Sequence, residues 1–170
     1  MSDSTKRKGA RTFREIPPDI LEQLEGGQIE TANLVEWLAL DQRRLLQNVL
    51  PELGLGAAVI PSLAEIARLK NPTPTQVIPV IGKAVFFTLK ESPKPKTVFA
   101  RLAAHRSDVV RNWAAYVIGL DERLDVAEKL KRMRPLAADA HFGVREIAWW
   151  AVRSDIEREL TKAISVLSRR

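Results

Sequence analysis

The chain has no cysteine, which excludes disulfide cross-links, thiolate metal sites and cysteine nucleophiles. Histidine is nearly as scarce. His105 and His141 are the only two, no carboxylates stand at ligand spacing beside them, and no Ser-His-Asp spacing occurs. Both read as loop or helix-end residues. Long hydrophobic runs are missing as well: the longest, Val77 to Leu89, covers 13 residues and is interrupted by Lys83, too short to cross a bilayer. Met1 to Pro17 holds no apolar stretch of signal-peptide length. Alternating runs bounded by hairpin turns are not found, so strands are not expected. Gly54-Leu-Gly56 lacks the lysine and the helix of a phosphate loop. A soluble, cytoplasmic and monomeric protein, with no metal, no cofactor and no membrane partner, is the expectation.

What is present suits one folded unit. Apolar residues are 45% of 170, enough for a core and too many for a disordered chain. The net charge of +6 is uneven. Residues 1–17 carry five basic and two acidic groups, residues 18–92 carry six and nine, and residues 93–170 carry sixteen and ten. A basic half beside an acidic one suits a polyanionic partner, although a solvated surface would also account for it.

Residues 1–17 form a polar, basic segment expected to be a flexible tail, and residues 18–170 are expected to form one helical domain. Pro17-Pro18-Asp19 starts a helix through Leu24, which Gly26-Gly27 stops. Asn33 caps a helix carrying Leu34, Trp37 and Leu38, and Asp41 caps the next, whose Leu45, Val49 and Leu50 recur at helical spacing. Pro61 opens a segment with Leu63, Ile66 and Leu69. Asn71-Pro-Thr-Pro connects it to an apolar helix from Pro74 to Leu89, where Pro79 and Gly82 predict a kink or a later start. A second connector is Ser92-Pro-Lys-Pro-Lys. The basic run Lys129 to Arg134 is either a phosphate contact or a solvated face.

The second half contains an internal repeat. Shifting Arg101–Asp121 by 34 positions lays it on Pro135–Asp155 with seven identities, including Leu102-Ala-Ala on Leu136-Ala-Ala, Val110-Arg111 on Val144-Arg145, Ala114 on Ala148 and Asp121 on Asp155. The clearest units span 97–121 and 131–155. Each reads as helix, tight turn, helix, a unit that cannot bury its apolar face alone and must stack on neighbours. The predicted fold is all-α, an α-α superhelix (solenoid) of HEAT-like helical repeats. The Val-Arg pair resembles the HEAT signature, so Arg111 and Arg145 are expected to bond a neighbouring turn. At 100° per residue, Val144, Ile147, Ala148, Ala151 and Val152 share one face, while Glu146, Trp149, Trp150 and Arg153 gather opposite. The matching strip in the preceding unit is Asn112, Ala115, Tyr116 and Gly119. Two indoles facing away from a core either pack on an adjacent repeat or form a binding surface. An indole face attracts a cationic base, and a carboxylate stabilises an oxocarbenium ion or orients water.

The segment from Phe99 to Leu167, especially His141-Phe-Gly-Val-Arg-Glu-Ile-Ala-Trp-Trp-Ala-Val-Arg153, resembles the HEAT-like DNA alkylation repair glycosylases of the AlkC/AlkD type. Glu30-Thr-Ala-Asn-Leu-Val-Glu-Trp-Leu-Ala-Leu-Asp-Gln42 resembles the N-terminal region of the AlkC-like branch. The resemblance implies a DNA glycosylase that excises N3- or N7-alkylated purines from double-stranded DNA without a cofactor. Carried over by motif position, the catalytic candidates are Glu146, Trp150 and Asp155, with Trp149, Tyr116 and Asn112 binding the substrate. Arg153, Arg106, Lys131, Arg132 and Arg134 would track the DNA backbone. Family members continue into further repeats with an Arg-Arg segment and additional acidic and aromatic groups, so a chain ending at Arg170 implies a short groove and a weak or inactive protein. A non-catalytic module binding DNA or an acidic protein, and a purely structural protein, are the alternatives.

Overall fold

A computed structural model describes residues 7–168. Ten α-helices follow one another: α1 (Pro18–Glu25), α2 (Leu34–Ala39), α3 (Gln42–Glu52), α4 (Val59–Arg68), α5 (Pro74–Glu91), α6 (Pro95–Ala103), α7 (Asp108–Gly119), α8 (Val126–Ala137), α9 (Phe142–Arg158) and α10 (Leu160–Leu167). There is no strand among the described residues. No described helix is long and apolar enough to cross a membrane.

Local chemistry sets the boundaries. Asn33 and Asp41 accept from the Glu36 and Arg43 backbone N–H groups as N-caps, satisfying donors that a helix start leaves free. Gly27 takes a positive φ of 68° just after α1, a conformation glycine adopts without a Cβ penalty. α5 begins at Pro74 and runs through Pro79 and Gly82 without interruption. The expected late start does not occur, because Thr73 and Gln76 form a capping box ahead of Pro74. α9 outlasts the repeat boundary at Asp155, and the break falls at Glu159 (φ −123°, ψ 46°).

The second helices of successive pairs form the spine, with α5 packed on α7 and α7 on α9, while α4, α6 and α8 pack on their following helices. Gly82 and Gly119 permit this closeness. A Cβ on Gly82 would stand 2.5 Å from the Tyr116 Cβ, and one on Gly119 would stand 2.1 Å from the Ala151 carbonyl oxygen. One apolar cluster runs from Leu24 in α1 to Ala163 in α10.

The 34-residue repeat recurs as hydrogen bonds. Arg111 Nη1 donates to the carbonyls of His105 and Arg106 at 2.7 and 3.0 Å. Arg145 Nη1 donates to those of Asp139 and Ala140 at 2.7 and 2.9 Å. Each guanidinium thus closes the turn before its own helix, and the four acceptors are themselves 34 positions apart. Arg111 goes further: it holds Asp139 through two bonds (2.8 and 3.0 Å) and Glu30 through a third.

The stretch expected as a tail through Pro17 is only partly outside the description. Residues 1–6 lie outside the described residues. From Arg7 on, the chain is held against α2, because two Arg7 nitrogens bond Glu36, each at 2.6 Å, and the Asn33 amide donates to the Ala10 carbonyl. Burial pushes the Glu36 carboxyl up, but the Arg7 guanidinium and the Ala32 N–H outweigh it and hold the group below the usual carboxylate range. The loop before α2 also reaches the spine. Thr31 donates its N–H and hydroxyl to the two carboxylate oxygens of Asp108, each at 2.9 Å. His141 caps α9 by accepting from the Gly143 N–H, which leaves its Nε2–H to donate to the Thr31 carbonyl at 2.9 Å.

Candidate functional site

α9 buries the face that its spacing predicts. Val144, Ile147, Ala148 and Val152 are buried, whereas Glu146, Trp149, Trp150 and Arg153 lie on the exposed side. Trp149 is 40% exposed and Trp150 50%, so neither indole is sealed in the interior. Removing such surface from water is worth about 25 cal/mol per Å², and leaving two indoles open therefore forgoes stabilisation that packing would give.

The four residues do not share one hollow. Consecutive residues on a helix diverge by about 100°, and here that separates the tryptophans. Trp150 and Glu146 line an apolar cleft of about 190 Å³ whose other walls come from Leu34, Trp37 and Leu38 of α2, from Thr75, and from Phe142 and Ile147. Trp149 instead borders a wider hollow of about 750 Å³ between α8, α9 and α10, together with Lys131, Met133, Arg134 and Leu167. Arg153 lies fully exposed and pairs with Glu157 one turn on, Nε to Oε1 at 2.7 Å, which keeps its guanidinium firmly protonated.

Three sequence candidates sit elsewhere. Asp155 is buried and fully engaged: Oδ2 accepts from Lys129 Nζ at 2.8 Å and Oδ1 from Arg158. The same ammonium donates to the Gly119 carbonyl at 2.7 Å. Asp155 therefore locks α8 to the ends of α7 and α9, with each carboxylate oxygen bonded to a cation and the side chain buried. Asn112, expected to bind substrate, is 0% exposed, and neither amide atom has a hydrogen-bond partner among the described residues. Tyr116 is half-buried over Gly82, and burial pushes its phenol up. The expected open strip on α7 is closed because α7 is the central helix, packed by α5, α6, α8 and α9 at once. α9 packs on α7, α8 and α10 and keeps one side open.

The basic candidates spread over several faces. Lys131 and Arg134 flank Trp149. Arg132, offset by one residue, turns to a different cavity and pairs with Glu128 at 3.1 Å. Arg106 is exposed in the α6–α7 turn, donating to the Gln28 carbonyl at 3.2 Å. Nearby, burial first and the charge of Arg111 second push the His105 imidazole below its ordinary value.

Sequence reasoning did not include α2 in the site. Trp37 is buried with no hydrogen-bond partner for its indole N–H among the described residues, and it lies so near α9 that a Cβ on Gly143 would be 3.6 Å from Nε1. The stripe Leu34, Trp37, Leu38 was visible as a helix face, yet Leu34 and Leu38 are left 54% and 43% exposed beside the cleft. Among the described residues no three histidine, aspartate or glutamate side chains gather as metal ligands.

The fold and site define an all-helical protein of packed helix pairs with an aromatic, single-carboxylate cleft on its last long helix. Comparison with family models, with curated proteins and with solved structures finds no match to this chain.

Proposed function

We propose that this chain is a DNA alkylation repair glycosylase, a short HEAT-like solenoid that binds double-stranded DNA as a monomer in the cytoplasm and excises N3- or N7-alkylated purines. The observation that carries the reading is the pairing of Glu146 with the exposed Trp150 in a small apolar cleft. An alkylated purine is cationic, and an aromatic face attracts it by about 0.5–2 kcal/mol. When the glycosidic bond breaks, the bonding electrons leave with the base and cancel its charge, so no strong acid is required. The positive charge passes to the sugar, where a carboxylate such as Glu146 stabilises it and takes the proton of the water that adds to C1′. Lys131 and Arg134 beside Trp149, with Arg153 between the two hollows in helical phase, supply phosphate contacts on the same side of α9.

A second reading, a DNA- or protein-binding module without catalysis, is favoured by one feature. With Asp155 spent on Lys129, Glu146 is the sole carboxylate lining the cleft among the described residues. Base release from methylated duplex DNA at two salt concentrations tests both. The glycosylase reading expects free 3- or 7-methylpurine from the wild type, loss in Glu146→Gln and Trp150→Ala, and retained turnover with weaker binding in Trp149→Ala. Salt-sensitive binding without any base release supports the module instead.

A further inference from the structure

A cavity on another part of the molecule is built differently from the α9 cleft and shares no lining residue with it. It has a volume of about 620 Å³, within the range that encloses a small organic ligand. It opens between the end of α5, the start of α6, the end of α7 and the α7–α8 loop. Phe86, Leu89, Phe99, Val117, Ile118 and Leu124 make its walls, a hydrocarbon surface that water solvates poorly. Charge lies at its edge and is mainly positive. Lys90, Lys96, Arg123 and Arg132 line it against a single lining carboxylate, Asp121, and Arg132 is paired with Glu128 outside it, which leaves the two lysines uncompensated among the described residues.

The edge cations differ in how far they are already satisfied. Arg123 takes both oxygens of Asp121 at 2.8 Å and holds that carboxyl below its usual range, so the one acid is neutralised in place. Lys90 has no carboxylate partner among the described residues. Its ammonium lies 4.6 Å from the centre of the Phe86 ring and 5.5 Å from that of Phe87, held over the cavity wall by cation–π attraction. Lys96 is likewise unpaired among the described residues. An apolar hollow with unpaired ammonium groups at its mouth lacks one complement: a hydrocarbon body with a negative end. A phosphodiester backbone would leave the hydrocarbon walls uncovered, and a neutral hydrocarbon would leave the charges uncompensated.

We propose that this cavity binds a single-chain anionic amphiphile of the fatty-acid type, with its chain between Phe86, Phe99 and Ile118 and its carboxylate at Lys90 and Lys96. The site is independent of the DNA-repair reading. Titration calorimetry with laurate below its micelle concentration tests it, with dodecanol as the uncharged chain and a short duplex DNA as competitor. Saturable one-to-one binding of laurate is expected. Dodecanol and the Lys90→Gln/Lys96→Gln variant should each bind about ten-fold more weakly, the effect of losing two exposed charge contacts. Leu124→Glu, which sets a carboxylate in the wall, should abolish binding while its melting transition stays that of the wild type. Absence of laurate binding, equal binding of dodecanol, or unchanged affinity in the double variant would overturn the proposal. So would displacement of laurate by duplex DNA that itself depends on Lys90 and Lys96, which would make the cavity mouth part of a phosphate track.

Discussion

Replacing Asp155 by alanine separates a structural aspartate from a catalytic one. The carboxylate is buried, bonded to Lys129 Nζ at 2.8 Å, and among the described residues that ammonium has only the Gly119 carbonyl as its other acceptor. Removing the acid leaves a buried cation with one neutral acceptor. Breaking a buried pair from one side costs about 3–5 kcal/mol, and a chain of this length loses about 2–4 °C of Tm per kcal/mol, so a fall of roughly 6–20 °C follows. Removing both charges is a different perturbation. Lys129→Met/Asp155→Leu deletes the ion pair together and forfeits the bonds to Gly119 and to the exposed Arg158, at about 1 kcal/mol each, while adding apolar contact. The double variant should therefore melt within a few degrees of the wild type, and calorimetric melts of the single and double variants make the comparison. If Asp155→Ala instead melts with the wild type and abolishes base release, the aspartate acts on substrate and its assignment to the α8–α9 lock is wrong.

The remaining predictions concern the repeat and pH. Arg111→Met removes five bonds from a buried guanidinium and should cost about 2–4 kcal/mol. The equivalent Arg145→Met, at an exposed site with two carbonyl contacts, should cost about 1 kcal/mol; equal losses in urea titrations would contradict the difference in burial. His105 titrates below its ordinary value in the folded chain, so the unfolded chain binds the proton first. Its contribution to stability is complete above about pH 6.5 and is lost as pH falls through the folded value. His105→Asn, whose side-chain oxygen can still accept from the Ser107 N–H, should flatten the melting temperature between pH 7 and pH 5.5. An unchanged slope would place the proton elsewhere.

Much of the architecture is decided by near-neighbour chemistry. Capping at Asn33 and Asp41 and the core stripe of α9 depend on residues within a few positions of one another, and helical periodicity reports them directly. The shared role of Arg111 and Arg145 is legible for the same reason, since the carbonyls that each closes on are five and six residues away in the chain, whereas the bonds of Arg111 to Asp139 and Glu30 are long-range. Periodicity also places Glu146, Trp149, Trp150 and Arg153 on the outward side of α9. It says nothing about what stands across from that side.

The composition of the cleft was decided by the tertiary structure. Helical spacing put Asn112 and Tyr116 on the face equivalent to Glu146 and Trp150, but neighbours on every side of α7 close that face. Asp155 follows the core stripe of α9, and only the approach of Lys129 from α8 determines that its charge is consumed inside the protein. Trp37 and Leu34 arrive at Trp150 from more than a hundred residues away. A helix's own sequence sets which side is apolar, because 3.6 residues make a turn. Which outward residues meet, and which lose their access to water, depends on helices brought together from distant parts of the chain.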